Sequence, residues 1–466
     1  MHDGGGRRAE TVAAVAKLIP HLKARGFKFV TVSKLAGLSP KAVELRATAG
    51  QRLRGELFVT MLAIAGFVTS SLTTLVEGVT VLVGVRMLAA LILAGLQLRR
   101  TRRRKPAPPL APPVSIIVPA FNEATGIERC VRSLAGSRYP GELEVIVVDD
   151  GSTDGTAAIA QRLRLPCVRV MRQPNSGKPA ALNRALVASS HGIVVTVDAD
   201  TVFERDTLAH LVQRFSDPAV GAISGNTKVG NRKGLVGRWQ HIEYVMGFNL
   251  DRRMYEVLGC MPTVPGAIGA FRREALADIG GISGSTLAED TDITLEIGRA
   301  GWRVVHEDSA IAWTEVPRTL RDLFRQRSRW AYGTIQSIWK HRAALWRRGE
   351  GFGRRAVAYL TLFQVALPLA APLIDLFAIY SIVFLDPMPI LGFWLAFNAF
   401  QFALAWYAFH LDGERKRTLW ALPLQQFVYR QVMYIVVIDA LISALLGRRL
   451  SWRRAERTGE IELSAA

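Results

Sequence analysis

The residues in this sequence best equipped for chemistry are carboxylates, and they come in pairs where apolar runs stop. Asp149-Asp150 closes the run Glu144-Val145-Ile146-Val147-Val148 and leads into Gly151-Ser152-Thr153-Asp154, which reads as a turn and helix start. Asp198-Ala199-Asp200 closes Ile193-Val194-Val195-Thr196-Val197, and Glu289-Asp290 follows a small-residue loop from Gly281 to Ala288. Carboxylates at such places can receive base or sugar hydroxyls, hold a hard cation, or take up a proton as a general base. Each pair alone also has a plain explanation, because Asp is common in turns. Later in the chain, Gln326-x-x-Arg329-Trp330 places a guanidinium suited to a diphosphate beside an indole suited to a sugar ring. Alone, that pattern equally describes a surface helix whose Trp anchors it to lipid.

The elements that must position these groups are legible in the same stretch. Val114-Ser115-Ile116-Ile117-Val118 is a further short apolar run, ending in Pro119. Nearly continuous apolar runs separated by helix-length segments predict parallel strands covered on both faces. Their polar residues fall just past the carboxyl ends, where open α/β sheets bind ligands. The fold class is therefore α/β over residues 114–318. Residues 319–350 are basic and aromatic, as expected of amphipathic helices at a membrane surface.

Around this domain the texture is membrane-like. Within the membrane segment 55–98, Leu57 to Leu98 is apolar apart from Glu77, Arg86 and some Ser/Thr. It reads either as two helices meeting near Glu77-Gly78 or as an interfacial helix before one span, since a crossing takes about 20 residues. The basic and proline-rich linker 99–113 follows, and its arginines place the α/β domain in the cytoplasm. Three apolar stretches lie within 357–446, and 447–466 is a basic tail. Three spans would put the tail outside, whereas its arginines argue for inside. A re-entrant pair in 357–384, broken at Pro368 and Pro372, would make the count even.

The formal charge of +20 sits largely beside these apolar runs, which points to membrane orientation and not to nucleic acid. Cys130, Cys167 and Cys260 are widely spaced and predict neither a disulfide framework nor a metal site. The opening His2-Asp3-Gly4-Gly5-Gly6 does not have the pattern of a cleavable signal peptide.

Seven motifs in order carry a resemblance. They are Val118-Pro119-Ala120-Phe121-Asn122-Glu123, Val148-Asp149-Asp150-Gly151-Ser152-Thr153-Asp154 and Asn175-Ser176-Gly177-Lys178-Pro179-Ala180-Ala181-Leu182-Asn183; then Asp198-Ala199-Asp200, Gly266-Ala267-Ile268-Gly269-Ala270-Phe271-Arg272-Arg273, Ala288-Glu289-Asp290 and Gln326-x-x-Arg329-Trp330. This series resembles the catalytic domain of glycosyltransferase family 2, with a GT-A type nucleotide-sugar-binding fold set between transmembrane helices. The similar branch holds the processive hyaluronan, chitin, cellulose and poly-N-acetylglucosamine synthases.

The resemblance implies residue roles. Pro119, Asn122, Glu123 and Asp150 hold the uridine with Asp149 beside it, and Lys178 lies near the nucleotide. Asp198 and Asp200 border the UDP-sugar, and Asp200 helps hold Mg²⁺ or Mn²⁺. Asp290, with Glu289 beside it, is the catalytic base of an inverting attack at C1. Arg329 serves the diphosphate, while Gln326, Trp330, Gly266 and Phe271 meet the acceptor or product. The implied partners are a UDP-sugar donor, a growing polysaccharide acceptor, the lipid bilayer and accessory export proteins of unknown identity; no nucleic acid is expected. The implied place is a bacterial inner or plasma membrane, crossed more than once, with the catalytic domain cytoplasmic. A transferase acting on a lipid carrier, or an inactive scaffold, are the rival readings.

Residues 1–38 add a second resemblance. Thr11 to Leu22 has helical spacing, and Phe27-Lys28-Phe29-Val30-Thr31-Val32 reads as a strand. With His2-Asp3-Gly4-Gly5-Gly6 they resemble the end of a chitooligosaccharide (polysaccharide) deacetylase domain, a remnant without the family's metal-binding motifs. That resemblance implies an N-acetylated sugar, hence UDP-N-acetylglucosamine as donor and UDP-glucose as the alternative.

Overall fold

A computed structural model describes residues 9–39, 47–103, 109–384, 387–448, 459 and 461. They belong to two compact units, Met1–Thr73 and Thr74–Ala466.

The first unit opens with the helix Ala9–Ala24, which ends in a turn at Gly26 (φ 87°). The strand expected at Phe27–Val32 is not formed: residues 27–31 are irregular, and Val32–Leu35 is a short helix whose N-cap is Thr31. Phe27, Phe29, Val30 and Val32 are exposed, and a strand without a partner leaves its backbone groups unpaired. His2-Asp3-Gly4-Gly5-Gly6 lie outside the described residues. The helix Ala49–Arg102 begins in this unit and continues into the second without the break expected at Glu77-Gly78. A lone glycine costs a helix only about 1 kcal/mol, and no proline follows to end it.

The second unit is built on one eight-stranded sheet. Its strands are β1 (Val114–Ala120), β2 (Leu143–Asp149), β3 (Val168–Arg172), β4 (Ile193–Thr196), β5 (Val202–Phe203), β6 (Val220–Val229), β7 (Gly269–Arg272) and β8 (Arg303–Thr314). The spatial order is β3-β2-β1-β4-β7-β6-β8-β5. The three runs singled out in the sequence are β2, β1 and β4, and they pair in parallel as expected. The other half is mixed: β7 runs antiparallel to β4 and β6, while β6 and β8 run parallel. β6 is buried along its whole length although it carries Ser224, Asn226, Thr227 and Lys228, so no apolar run announces it.

The helix Leu320–His341 starts at an N-cap, Thr319, whose hydroxyl accepts from the Asp322 amide. Among the described residues, three helices are long and apolar enough to cross a membrane: Ala49–Arg102, Gly351–Phe384 and Pro387–Leu411. The break expected at Pro368 and Pro372 is absent. A π-helical turn, Leu360–Ala366, precedes Pro368, and such a wider turn accommodates a ring without an N–H. The bend falls instead between Lys416–Gln425 and Tyr429–Leu445, which meet at 59°.

Both ends of that bent pair touch the α/β domain. Before it, Asp412 accepts from Asn226 and Asn249 (2.7 and 2.8 Å), and Glu414 pairs with Lys228 and Arg232 (3.0 and 2.8 Å). After it, the Arg448 carbonyl accepts from the Tyr332 hydroxyl at 3.0 Å. Ile461 packs so closely on Gly230 that a Cβ there would lie 2.7 Å from it.

Candidate active site

The strand ends converge on one cavity of about 1210 Å³. Small-molecule pockets usually span about 300–1,000 Å³, so this space is larger than a common single-ligand pocket.

At the end of β1, Pro119 and buried Glu123 line the cavity, and the Glu123 amide donates to Thr156 Oγ1 at 2.8 Å. Asn122 does not line it. It occupies a left-handed turn (φ 56°), with its Oδ1 accepting from the Thr153 amide at 2.9 Å. At the end of β2 the two aspartates part company. Asp149 is turned to its own strand end, where it accepts from the Ser152 amide (3.2 Å) and pairs with Arg172 (3.3 Å). Asp150 lines the cavity and receives Gln173 Nε2 (2.7 Å), the Ser176 amide (2.9 Å) and the Gly177 amide (2.8 Å). One carboxylate thereby folds the loop that delivers Lys178. Gly151 permits the approach: it has φ 82°, and a Cβ there would lie 2.8 Å from the Asn175 nitrogen.

Lys178 joins two of the acidic clusters. Its ammonium lies 2.8 Å from Asp198 Oδ1 and 2.7 Å from Glu289 Oε1. Burial works against its charge, but the two carboxylates outweigh that and hold its pKa above the usual lysine range. Gly266 is at the same spot, where a Cβ would come 2.6 Å from Lys178 Nζ and 3.3 Å from Asp198. Asp198 and Asp200 are not extended as a strand would have them: β4 ends at Thr196, and the Thr201 amide closes a turn on the Asp198 carbonyl at 2.9 Å. Asp200 is buried, lines the cavity, and accepts from Thr201 and Thr314 hydroxyls at 3.3 and 3.4 Å.

Glu289 and Asp290 open the helix Glu289–Arg299, where the helix dipole favours anions. Asp290 Oδ1 accepts from the Thr291 amide at 2.8 Å. Burial, and then the charge of Glu289, push its pKa up to about 6, with Lys178 opposing. A carboxylate so poised accepts protons efficiently near neutral pH.

The Leu320–His341 helix brings Gln326, Arg329 and Trp330 to the same cavity. It is held against the acidic loop through Gly333, where a Cβ would lie 2.5 Å from the Ala288 nitrogen. Gln336 Oε1 accepts from the Leu287 amide at 2.9 Å. Phe271 is a core residue on β7, 3% exposed; it does not line the large cavity but lines a small pocket with Lys178, Gly266, Glu289 and Asp290.

Four side chains that the sequence did not single out also belong here. Arg327, an unassigned position of the Gln-x-x-Arg-Trp pattern, is buried, pairs with Glu243 at 2.6 Å, and sets its guanidinium 4.0 Å from the Trp330 ring centre. Tyr429 donates to the same Glu243 carboxylate. Arg252 lines the cavity from another helix. Glu243, Arg252 and Tyr429 belong to no local pattern, and only the folded chain brings them together here.

For a cation the cavity offers carboxylate oxygens, those of Asp198 and Asp200 among them, and neither Cys nor His among its lining residues. That donor set fits a hard ion such as Mg²⁺ or Mn²⁺. The cluster Asp292, Glu296 and His341 lies elsewhere and already holds Lys340, 2.7 Å from Asp292 and 2.8 Å from Glu296.

Comparison with known proteins agrees with this geometry. Residues 112–333 match the family model described as "Glycosyltransferase like family 2". Poly-beta-1,6-N-acetyl-D-glucosamine synthase of Staphylococcus aureus is 30% identical over 223 residues, which are 47% of this chain and 54% of that protein. The synthase of the same name from Staphylococcus epidermidis gives the same figures. The chain thus spans about half the length of these relatives. A mannosyltransferase from Pyrobaculum calidifontis, solved with GDP-Man and Mn²⁺, superposes with a TM-score of 0.58 at 24% identity, covering 80% of this chain and 99% of that one. At that identity the likeness speaks for the fold alone, an α/β glycosyltransferase fold of GT-A type. Residues 112–333 are a glycosyltransferase family 2 domain.

Proposed function

We propose that the chain is a membrane-embedded, inverting glycosyltransferase that polymerises a β-linked polysaccharide from UDP-N-acetylglucosamine and exports it. One observation carries this reading. The cavity that holds Asp150, Asp200 and Asp290 continues without interruption to Gln364, Pro368 and Val436 on the apolar C-terminal helices. A polymer extended at Asp290 therefore has a path toward the bilayer.

In this reading the acceptor hydroxyl gives its proton to Asp290 as its oxygen attacks C1 of the donor sugar. The C1–O bond to UDP breaks, its electron pair leaves with the β-phosphate, and the configuration at C1 inverts. Lys178 keeps Glu289 and Asp198 charge-compensated around the base, and Arg329 neutralises the diphosphate. A divalent ion held by Asp200, with Asp198 beside it, would supply charge stabilisation to the departing UDP. Trp330, backed by Arg327, gives the acceptor ring an aromatic face.

The choice of N-acetylglucosamine rests on the staphylococcal relatives and on the deacetylase-like N-terminal residues. The membrane reading is supported by the three apolar helices and by exposed Trp339 and Trp346 after the Gln-x-x-Arg-Trp segment. Two full spans after the domain followed by a bent pair that returns would leave the tail on the domain's side. This fits its arginines and an inner-membrane enzyme with a cytoplasmic domain.

The test is UDP release from protein in nanodiscs with Mg²⁺ or Mn²⁺, comparing UDP-N-acetylglucosamine, UDP-glucose and UDP-glucuronate, with sizing of the product. Long product from UDP-N-acetylglucosamine is expected. Product from UDP-glucose alone overturns the donor, single-sugar transfer to a lipid overturns polymerisation, and no release from any donor overturns the enzyme.

A further inference from the structure

Asp290 lines the cavity from the first turn of the Glu289–Arg299 helix, and Asp292, in the same turn, does not. Side chains two apart on a helix point away from each other. Asp292 is buried on the side turned from the cavity, where a carboxylate needs partners.

Those partners come from the end of the Leu320–His341 helix. His341 Nε2 lies 2.7 Å from Asp292 Oδ1, and Lys340 Nζ lies 2.7 Å from Oδ2. The other imidazole nitrogen, Nδ1, lies 2.7 Å from Nη1 of Arg299, the last residue of the base helix. Arg299 in turn donates twice to Glu350, at 2.7 and 3.1 Å. A guanidinium can only donate, so Nδ1 accepts and the imidazole proton sits on Nε2, which donates to Asp292. His341 is 2% exposed, so water does not compete for either bond. Burial works against the Asp292 charge, but the bonds from His341 and Lys340 outweigh it and hold its pKa below the usual carboxylate range.

One neutral imidazole thereby ties both ends of the base helix to the helix that carries the Gln-x-x-Arg-Trp pattern. Glu350 extends the tie to the start of the apolar helix Gly351–Phe384. Trp330 and His341 are about three turns apart and fall within about 20° of each other around their helix. Between them Gly333 lies against Ala288, and Gln336 binds the Leu287 amide. The same face therefore runs along the loop and helix that carry Glu289 and Asp290, from Trp330 at the cavity to His341 at the far end. Arg299 has little room to move: a Cβ at Gly353 would lie 3.0 Å from its Cγ.

We propose that His341 is a positioning residue for transfer: by bridging Asp292 and Arg299 it sets Asp290 against Arg329 and Trp330. His341 does not line the cavity, so it acts through the helices and not on substrate. The assignment rests on the inverting transfer proposed above.

Kinetics of the full-length protein in nanodiscs test it, with rates counted per UDP-binding molecule. His341→Phe keeps a ring but neither bond. It should lower kcat by about tenfold or more, with donor KM and UDP affinity within about twofold of wild type. His341→Gln, whose amide again offers one donor and one acceptor, should recover kcat to within about threefold. Glu350→Gln, at the outer end of the tie, should lower kcat about threefold at constant donor KM, and it decides the matter if His341→Phe does not fold. A merely structural role predicts fewer UDP-binding molecules, each with normal kcat. That outcome overturns the proposal, as does a His341→Gln no better than His341→Phe, a parallel loss of UDP affinity, or wild-type kcat in Glu350→Gln. Wild-type protein that releases no UDP from any donor removes the transferase reading and this role together, whereas the other adverse results remove this role alone.

Discussion

Asp290 and Lys178 carry the sharpest predictions at the scale of single residues. The base works only when ionised, and burial beside Glu289 raises the Asp290 pKa to about 6. Transfer should therefore fall as pH drops through about 6 and level off above it, which a pH profile of kcat/KM reads directly. A flat profile between pH 5 and 7 would remove Asp290 from the role. Asp290→Asn should abolish that limb and lower transfer at least about a hundredfold while UDP-sugar still binds. Lys178 opposes the rise in the Asp290 pKa, so Lys178→Met should move the acid limb to higher pH. A limb that stays in place would show that the ammonium does not act on the base.

At the scale of elements, the site depends on how the Leu320–His341 helix meets the loop before Glu289. The contact has no slack at Gly333, where an added Cβ would sit 2.5 Å from the Ala288 nitrogen. Gly333→Ala should lower stability by about 1–3 kcal/mol through overpacking, seen in thermal unfolding of the detergent-solubilised protein. Its effect on kcat should exceed its effect on donor affinity, because the displaced backbone leads into Glu289 and Asp290. Gln336→Ala removes only the bond to the Leu287 amide and should cost about 1 kcal/mol, with a milder loss of kcat. Identical kinetics in both variants and wild type would mean that the loop is held from elsewhere.

The whole molecule raises the question of sides. Asp412 and Glu414 contact β6, and the Arg448 carbonyl contacts Tyr332. In the membrane reading, the turn after Gly351–Phe384 then lies on the far side of the bilayer and the tail on the near side. Met388, 70% exposed at the start of the next helix, reports on that turn. Met388→Cys should react with a membrane-impermeant maleimide in intact cells, whereas Arg448→Cys should react only after permeabilisation. Labelling of Arg448→Cys from outside would restore the odd count of spans. The ion pairs of Lys228 and Arg232 with Glu414 tie β6 to this loop. Glu414→Gln should therefore loosen the helices from the domain, read as faster proteolysis near residue 412.

The sequence by itself determined the parallel half of the sheet and the order of the chemical groups. β1, β2 and β4 are nearly continuous apolar runs, and strand ends are where such sheets expose polar residues. It also marked the apolar helices, because twenty apolar residues in a row have few other uses. Only the tertiary structure decided the rest. β6 is buried with a polar sequence because Asn226 and Lys228 find partners in Asp412 and Glu414, far along the chain. Asp149 and Asp150 are adjacent and alike, yet one is held by Arg172 and the other folds the Lys178 loop; strand alternation alone points them to opposite faces without saying which face is the cavity. Phe271 and Asn122 matched motifs, and only the folded chain shows the first buried on β7 and the second in a left-handed turn. Phe27–Val32 had the composition of a strand but found no partner. Arg252 and Glu243 had no local signal because their meaning comes from what surrounds them, and those surroundings exist in the folded chain alone.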